Sequence, residues 1–155
     1  MVTTDIHNQT IQTGHVGFNV TDLDRSKKFY QDVLGFQIMG ESQEDGRSYA
    51  FLGDGQRLVL TLWQQSEGRF AKHRPGLHHL SFQVEDMEQV QAYREKLHQL
   101  NVPLIYEDIV PHGEGSVSGG IYFEDSDGIR LEIYSFTGAE NRPAPVSGAP
   151  TCGFF

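Results

Sequence analysis

The chain has 155 residues, a formal charge of −9 and a single cysteine, Cys152, so it makes one ordinary domain without an internal disulfide. The acidic balance argues against nucleic acid and anionic membranes as partners, and no run approaches the ~20 apolar residues of a membrane span. With no basic or apolar leader in MVTTDIHNQT, a cytoplasmic location is expected.

Residues Met1 to Thr10 read as a polar lead-in. Thr13 to Val20 reads as a strand, with Val16, Phe18 and Val20 on one face and His15, Gly17 and Asn19 on the other. Asp22 is placed to cap a helix that runs to Leu34, with Phe29, Tyr30, Val33 and Leu34 inward and Gly35 ending it. Three strands follow, Phe36–Glu41, Arg47–Leu52 and Gln56–Gln64, separated by the turn sequences EDG and GDG. Gln65 to Pro75 is a polar connector.

The stretch PGLHHLSFQVEDMEQVQAYREKL then repeats the opening of the chain. Laying His79 on His15 also lays Phe82 on Phe18, Val84 on Val20, Asp86 on Asp22 and Tyr93 on Phe29. A repeat that keeps strand, turn and helix in register marks one structural unit used twice. The new helix spaces Met87, Val90, Tyr93, Leu97 and Leu100 for one apolar face. Val102–Glu107 is expected as a strand, Asp108–Gly119 as a long glycine-rich loop, and Gly120–Glu124 and Ile129–Phe136 as closing strands. The expected layout is one domain over 1–137, with module one at about 13–64 and module two at about 77–136. A Pro/Gly-rich tail occupies 138–155.

Each module places a histidine on the polar face of its first strand. In the last strand Leu131, Ile133 and Phe136 read as core, while Arg130, Glu132 and Tyr134 face the other way. An isolated strand histidine is more often structural than a ligand. Two at repeat-related positions, joined by Glu132, instead suit a divalent first-row metal with open positions.

Three segments carry a family resemblance: HVGFNVTDLDRSKKFYQDVLGF at 15–36, HHLSFQV at 78–84 and IYFEDSDGIRLEIY at 121–134. From about Thr13 to Phe136 the chain resembles the vicinal oxygen chelate superfamily, which includes glyoxalase I, bleomycin resistance proteins, fosfomycin resistance enzymes and extradiol dioxygenases. The resemblance implies an α+β fold in which two βαβββ modules form a cupped mixed sheet around a metal. It implies His15, His79 and Glu132 as ligands of one divalent ion (Fe, Mn, Zn, Ni or Co), a small-molecule substrate bound through adjacent oxygens, and a homodimer.

One departure narrows the activity. Glyoxalase I enzymes add a Glu from the closing strand of the first module. The repeat puts Val59 at that place, and a shift of two residues puts Thr61 there; neither is a carboxylate. What remains is a two-His-one-Glu set, as in extradiol dioxygenases and fosfomycin resistance enzymes. Tyr122, on the face of Glu132, resembles the dioxygenase tyrosine that bonds substrate. His112, in the long loop, is a candidate acid or base, and His78 is expected on the opposite face from His79.

The leading expectation is an extradiol-type dioxygenase. The alternatives are a lyase, isomerase or transferase of the glyoxalase and fosfomycin-resistance kind, and a non-catalytic drug- or metabolite-binding protein. At the end of the tail, Phe154 and Phe155 are expected to dock against the barrel mouth or a neighbouring subunit.

Overall fold

The computed structural model of the chain describes residues 10–155, so all of the expected lead-in but Thr10 lies outside the described residues. The elements run β1 (Val16–Asn19), α1 (Leu23–Leu34), β2 (Gln37–Glu44), β3 (Arg47–Gly53), β4 (Leu58–Trp63) and β5 (Leu80–Gln83). They continue with α2 (Met87–Gln99), β6 (Val110–Pro111), β7 (Gly119–Glu124) and β8 (Arg130–Ser135), and a short 3-10 turn follows at Thr151–Gly153. Two βαβββ units thus follow one another. Each builds a four-stranded sheet, in the orders β1-β4-β3-β2 and β5-β8-β7-β6. Within each, the opening strand pairs parallel with the closing strand, and the remaining pairs are antiparallel. The sheets are mixed, and they do not close into a barrel.

Local chemistry explains the helices. Asp22 and Asp86 hold extended backbone and accept the Arg25 and Gln89 N–H groups at 2.9 Å, satisfying donors that the first turn leaves orphaned. Gly35 ends α1 in the left-handed region at φ 70°, which a residue without Cβ adopts at no steric cost. Tyr30 and Val33 of α1, and Val90 and Leu97 of α2, bury against the sheets. Leu100 lies beyond the end of α2 and is exposed, so the apolar face of that helix stops one turn short of the expected length.

The second module departs from the sequence reading most at its third element. No strand forms over Val102–Glu107; only Leu104 makes an isolated bridge, to Phe123. The strand instead forms within the expected loop, where Val110 and Pro111 pair with Gly120 and Gly119. Pro103 lacks an N–H for a ladder, whereas the two glycines let a neighbouring backbone come close: a Cβ on Gly119 would strike the Val110 carbonyl and Pro111. Phe136 also departs. It falls after β8 and is exposed, edge-on to Tyr134 at 5.5 Å, and Ser135 takes the buried position that alternation requires.

A polar clamp joins the modules. The turn DSDG between β7 and β8 reaches α1, where the buried Tyr30 hydroxyl donates to Asp125 Oδ2 at 2.7 Å. Asp125 Oδ1 accepts the N–H groups of Asp127 and Ile129 at 2.9 and 2.8 Å. Asp127 accepts from the Thr21 N–H at 3.0 Å and pairs with Arg25 at 2.6 Å. Phe36 and Phe82 add an edge contact at 5.8 Å. Among the described residues, no helix is long and apolar enough to cross a membrane.

Candidate functional site

Strand alternation on β8 buries Leu131 and Ile133 in the core and turns Arg130, Glu132 and Tyr134 to the opposite face. Glu132 lies opposite Ser81 on β5 and opposite Tyr122 on β7. Its side chain is nearly fully buried, and polar groups surround it. Tyr122 Oη donates to Oε1 at 2.9 Å, and His112 Nε2 lies 2.6 Å from the same oxygen. The other oxygen, Oε2, faces His79 Nε2 at 3.4 Å. Burial pushes the Glu132 carboxyl up, but hydrogen bonds from His112, His79 and Ser81 outweigh it and bring the group down to about 2. Glu132 is therefore a carboxylate. Burial and that negative charge together hold the Tyr122 phenol protonated, far above its ordinary range.

His112 Nε2 faces an acceptor, so it donates, and the Ser118 hydroxyl can donate to Nδ1 at 2.7 Å. His78 Nε2 lies 3.2 Å from the Gly153 carbonyl and 3.4 Å from Arg130 Nη1, and its Nδ1 is 2.8 Å from His79 Nδ1. The chain of polar contacts ends at a 3.4 Å gap between His79 Nε2 and Glu132 Oε2. Imidazole nitrogen and carboxylate oxygen are donors that suit a divalent first-row metal, and the gap fits two ligands of one ion at ~2.1 Å each.

The residues singled out from the sequence do not all meet. Glu132, His79, His112 and Tyr122 gather at one end of the second sheet. His15 does not join them within one chain. It is exposed just before β1, an outer strand of the first sheet, and lines a cavity with Val59, Asp54 and Arg57 that extends to Ser81 of β5. Among the described residues, no three His, Cys, Asp or Glu side chains are placed to hold a metal ion. His78 is on the same side as His79 rather than opposite, because β5 starts only at Leu80 and the preceding backbone is free of strand alternation.

Register also settles which residue of module one corresponds to Glu132. Ser81 pairs with Glu132, and its counterpart in the first module, Gly17, pairs with Thr61. Thr61, not Val59, holds the equivalent place. It is buried, its hydroxyl accepts from Trp63 Nε1 at 3.0 Å, and a Cβ on Gly17 would come within 3.1 Å of that hydroxyl.

The tail is the part of the site that sequence reasoning located only loosely. The Thr151 N–H donates to the His112 carbonyl at 2.8 Å, and Tyr106 Oη donates to the Thr151 carbonyl at 2.9 Å. Phe155 packs its ring among Tyr122, Tyr106, His78 and His79, with centroid separations of 5.1, 5.8, 6.0 and 6.4 Å. Phe154 does not dock and is 70% exposed. The signal for this docking was a pair of aromatic residues ending a Pro/Gly segment, which could not say which of the two turns inward.

A family model, described as the Glyoxalase/Bleomycin resistance protein/Dioxygenase superfamily, matches residues 12–133. The chain belongs to that superfamily. A catechol-2,3-dioxygenase of Bacillus subtilis (strain 168) is 27% identical over 134 residues, covering 85% of this chain but 44% of the dioxygenase, so the chain spans under half the length of that relative. A lactoylglutathione lyase of Haemophilus influenzae is 32% identical over 135 residues, covering 79% of this chain and 91% of the lyase. Among solved structures, a glyoxylase/bleomycin resistance protein/dioxygenase domain from Frankia sp. EAN1pec superposes with a TM-score of 0.68 at 28% identity, covering 82% of this chain and 98% of the other. Superfamily relatives at this distance include both dioxygenases and lyases.

Proposed function

We propose that the chain is a metal-dependent enzyme that binds a small substrate through two adjacent oxygens, with an extradiol-type dioxygenase as the leading activity. The observation that carries this reading is the approach of His79 Nε2 to Glu132 Oε2, an imidazole nitrogen and a carboxylate oxygen 3.4 Å apart in a nearly buried site, a spacing that fits two ligands of one ion. His79 and Glu132 supply two ligands from the second module, and His15 supplies the third. Within one chain His15 does not gather with them, so in this reading the third ligand comes from a second copy in a homodimer.

When bound, the divalent ion, one of Fe, Mn, Zn, Ni or Co, polarises the two substrate oxygens. The chain's own groups do the rest. His112 and Tyr122 hold Glu132 Oε1 and so aim Oε2 at the ligand position, as outer hydrogen bonds commonly do in metal sites. His112 can also pass a proton between Ser118 and the site through its two ring nitrogens. Phe155 lays its ring against Tyr122 and His79 on that face.

One observation favours a second reading, a lyase, isomerase or transferase: the match covers 91% of the lactoylglutathione lyase but only 44% of the dioxygenase. Anaerobic loading with Fe(II), Mn(II), Zn(II), Ni(II) or Co(II), followed by catechol cleavage in air and hemithioacetal isomerisation, separates the two. Catechol cleavage with iron, lost in His79→Ala and Glu132→Gln, is expected. Isomerisation without cleavage would favour the lyase reading, and protein that takes up no metal and turns over neither substrate would leave only sequestration.

A further inference from the structure

Arg130 is a buried cation with no anion. Its residue is 8% exposed, its Nε is buried without a hydrogen-bond partner, and among the described residues no carboxylate lies within 4.0 Å of the guanidinium. The cross-strand neighbour, Glu124, is taken by Arg69 at 3.3 Å and by Lys72. Among the described residues its side-chain hydrogen-bond contact is with a neutral-capable imidazole and not an anion: His78 Nε2 lies 3.4 Å from Nη1. Leaving a guanidinium buried and unpaired is costly, and chains normally satisfy such groups. What covers it instead is the Phe155 ring, 5.2 Å from its central carbon.

That ring sits against Arg130, His79, Tyr106 and Tyr122 at once. Removing Phe155 would open a recess bordered by the two tyrosines, by His79 and by a guanidinium that has no anion beside it. We propose that Arg130 is the anion-recognising residue of this site, and that its ligand is a flat apolar molecule bearing a carboxylate or phosphonate, which takes that recess by displacing Phe155. The planar fork of Arg matches such oxyacid groups with two parallel hydrogen bonds. Treating that ligand as the substrate rests on the metal-enzyme reading above; the anion site itself does not.

The test uses the full chain treated with chelator, with binding followed by calorimetry. The probes are benzoate, phenylphosphonate and the neutral isostere benzamide. Benzoate or phenylphosphonate should bind Phe155→Ala roughly tenfold or more tightly than the parent chain, and benzamide should bind roughly tenfold more weakly than the better anion. Arg130→Gln in the Phe155→Ala background should abolish that preference. Equal binding of benzoate, phenylphosphonate and benzamide to Phe155→Ala overturns the proposal without any change at Arg130, so it stays testable even if Arg130→Gln fails to fold. A folded Arg130→Gln variant that keeps the preference also overturns it. Divalent-metal uptake is titrated separately. Arg130-dependent anion binding without metal uptake refutes the metal reading and leaves the anion site standing, while metal uptake without anion preference does the reverse.

Discussion

His112 and Glu132 lie 20 residues apart in the chain, yet His112 Nε2 and Glu132 Oε1 are 2.6 Å apart, one of the shortest polar contacts in the second module. The short strand β6 makes this possible. By pairing Val110 and Pro111 with Gly120 and Gly119, it delivers the next residue, His112, to the mouth of the sheet. Replacing His112 by Ala removes one of two donors to a buried carboxylate oxygen. We expect a stability loss of about 1–3 kcal/mol in the metal-free chain and a roughly ten- to hundredfold loss in metal affinity. Urea unfolding and metal titration check both; an unchanged affinity would mean that His112 does not orient Glu132.

The Tyr30–Asp125 bond gives a prediction with a sign in pH. Burial raises the Asp125 carboxyl, and the Tyr30 hydroxyl partly offsets that. A carboxyl whose folded value is raised contributes stability that is fully present below its ordinary value of 3.8 and lost as pH rises through the folded value. Tyr30→Phe removes the offsetting donor, so Asp125 rises further. The variant should lose about 1–3 kcal/mol at neutral pH and less near pH ~3.5, below the ordinary carboxyl value. Unfolding measured at the two pH values, with equal losses at both, would refute this account of the clamp.

Thr61 stands where the register puts the partner of Glu132. Thr61→Glu should therefore add a carboxylate ligand, tighten metal binding and slow turnover by filling a substrate position. Val59→Glu, off that register, serves as the control and should change metal affinity far less. If Val59→Glu proves the stronger of the two, the correspondence of Thr61 with Glu132 is wrong.

Deleting Ala149–Phe155 removes the Thr151 bonds to His112 and Tyr106 together with the Phe155 ring. The truncated chain should melt at lower temperature, since burying a ring contributes about 1.5–3 kcal/mol, and should turn over small substrates faster because the recess is open. A melting temperature and turnover matching the parent would make the tail a passenger.

Sequence by itself determined the two βαβββ units, because alternation, the Asp22 and Asp86 caps and the Gly35 stop are local and repeat in register. It also determined that Glu132 and Tyr122 share a face, since a hairpin with the turn DSDG fixes that pairing over ten residues. Only the tertiary structure decided the rest. Whether Val59 or Thr61 answers Glu132 depends on parallel register between strands far apart in sequence, which no local pattern encodes. The His79–Glu132 approach follows from the parallel pairing of β5 with β8, and His15 stands apart because it precedes a strand of the other sheet; neither is read from spacing. Arg130 looked like one more polar residue on a strand, and its isolation emerges only when Glu124 turns to Arg69 and Lys72 and the tail folds back to lay Phe155 over it.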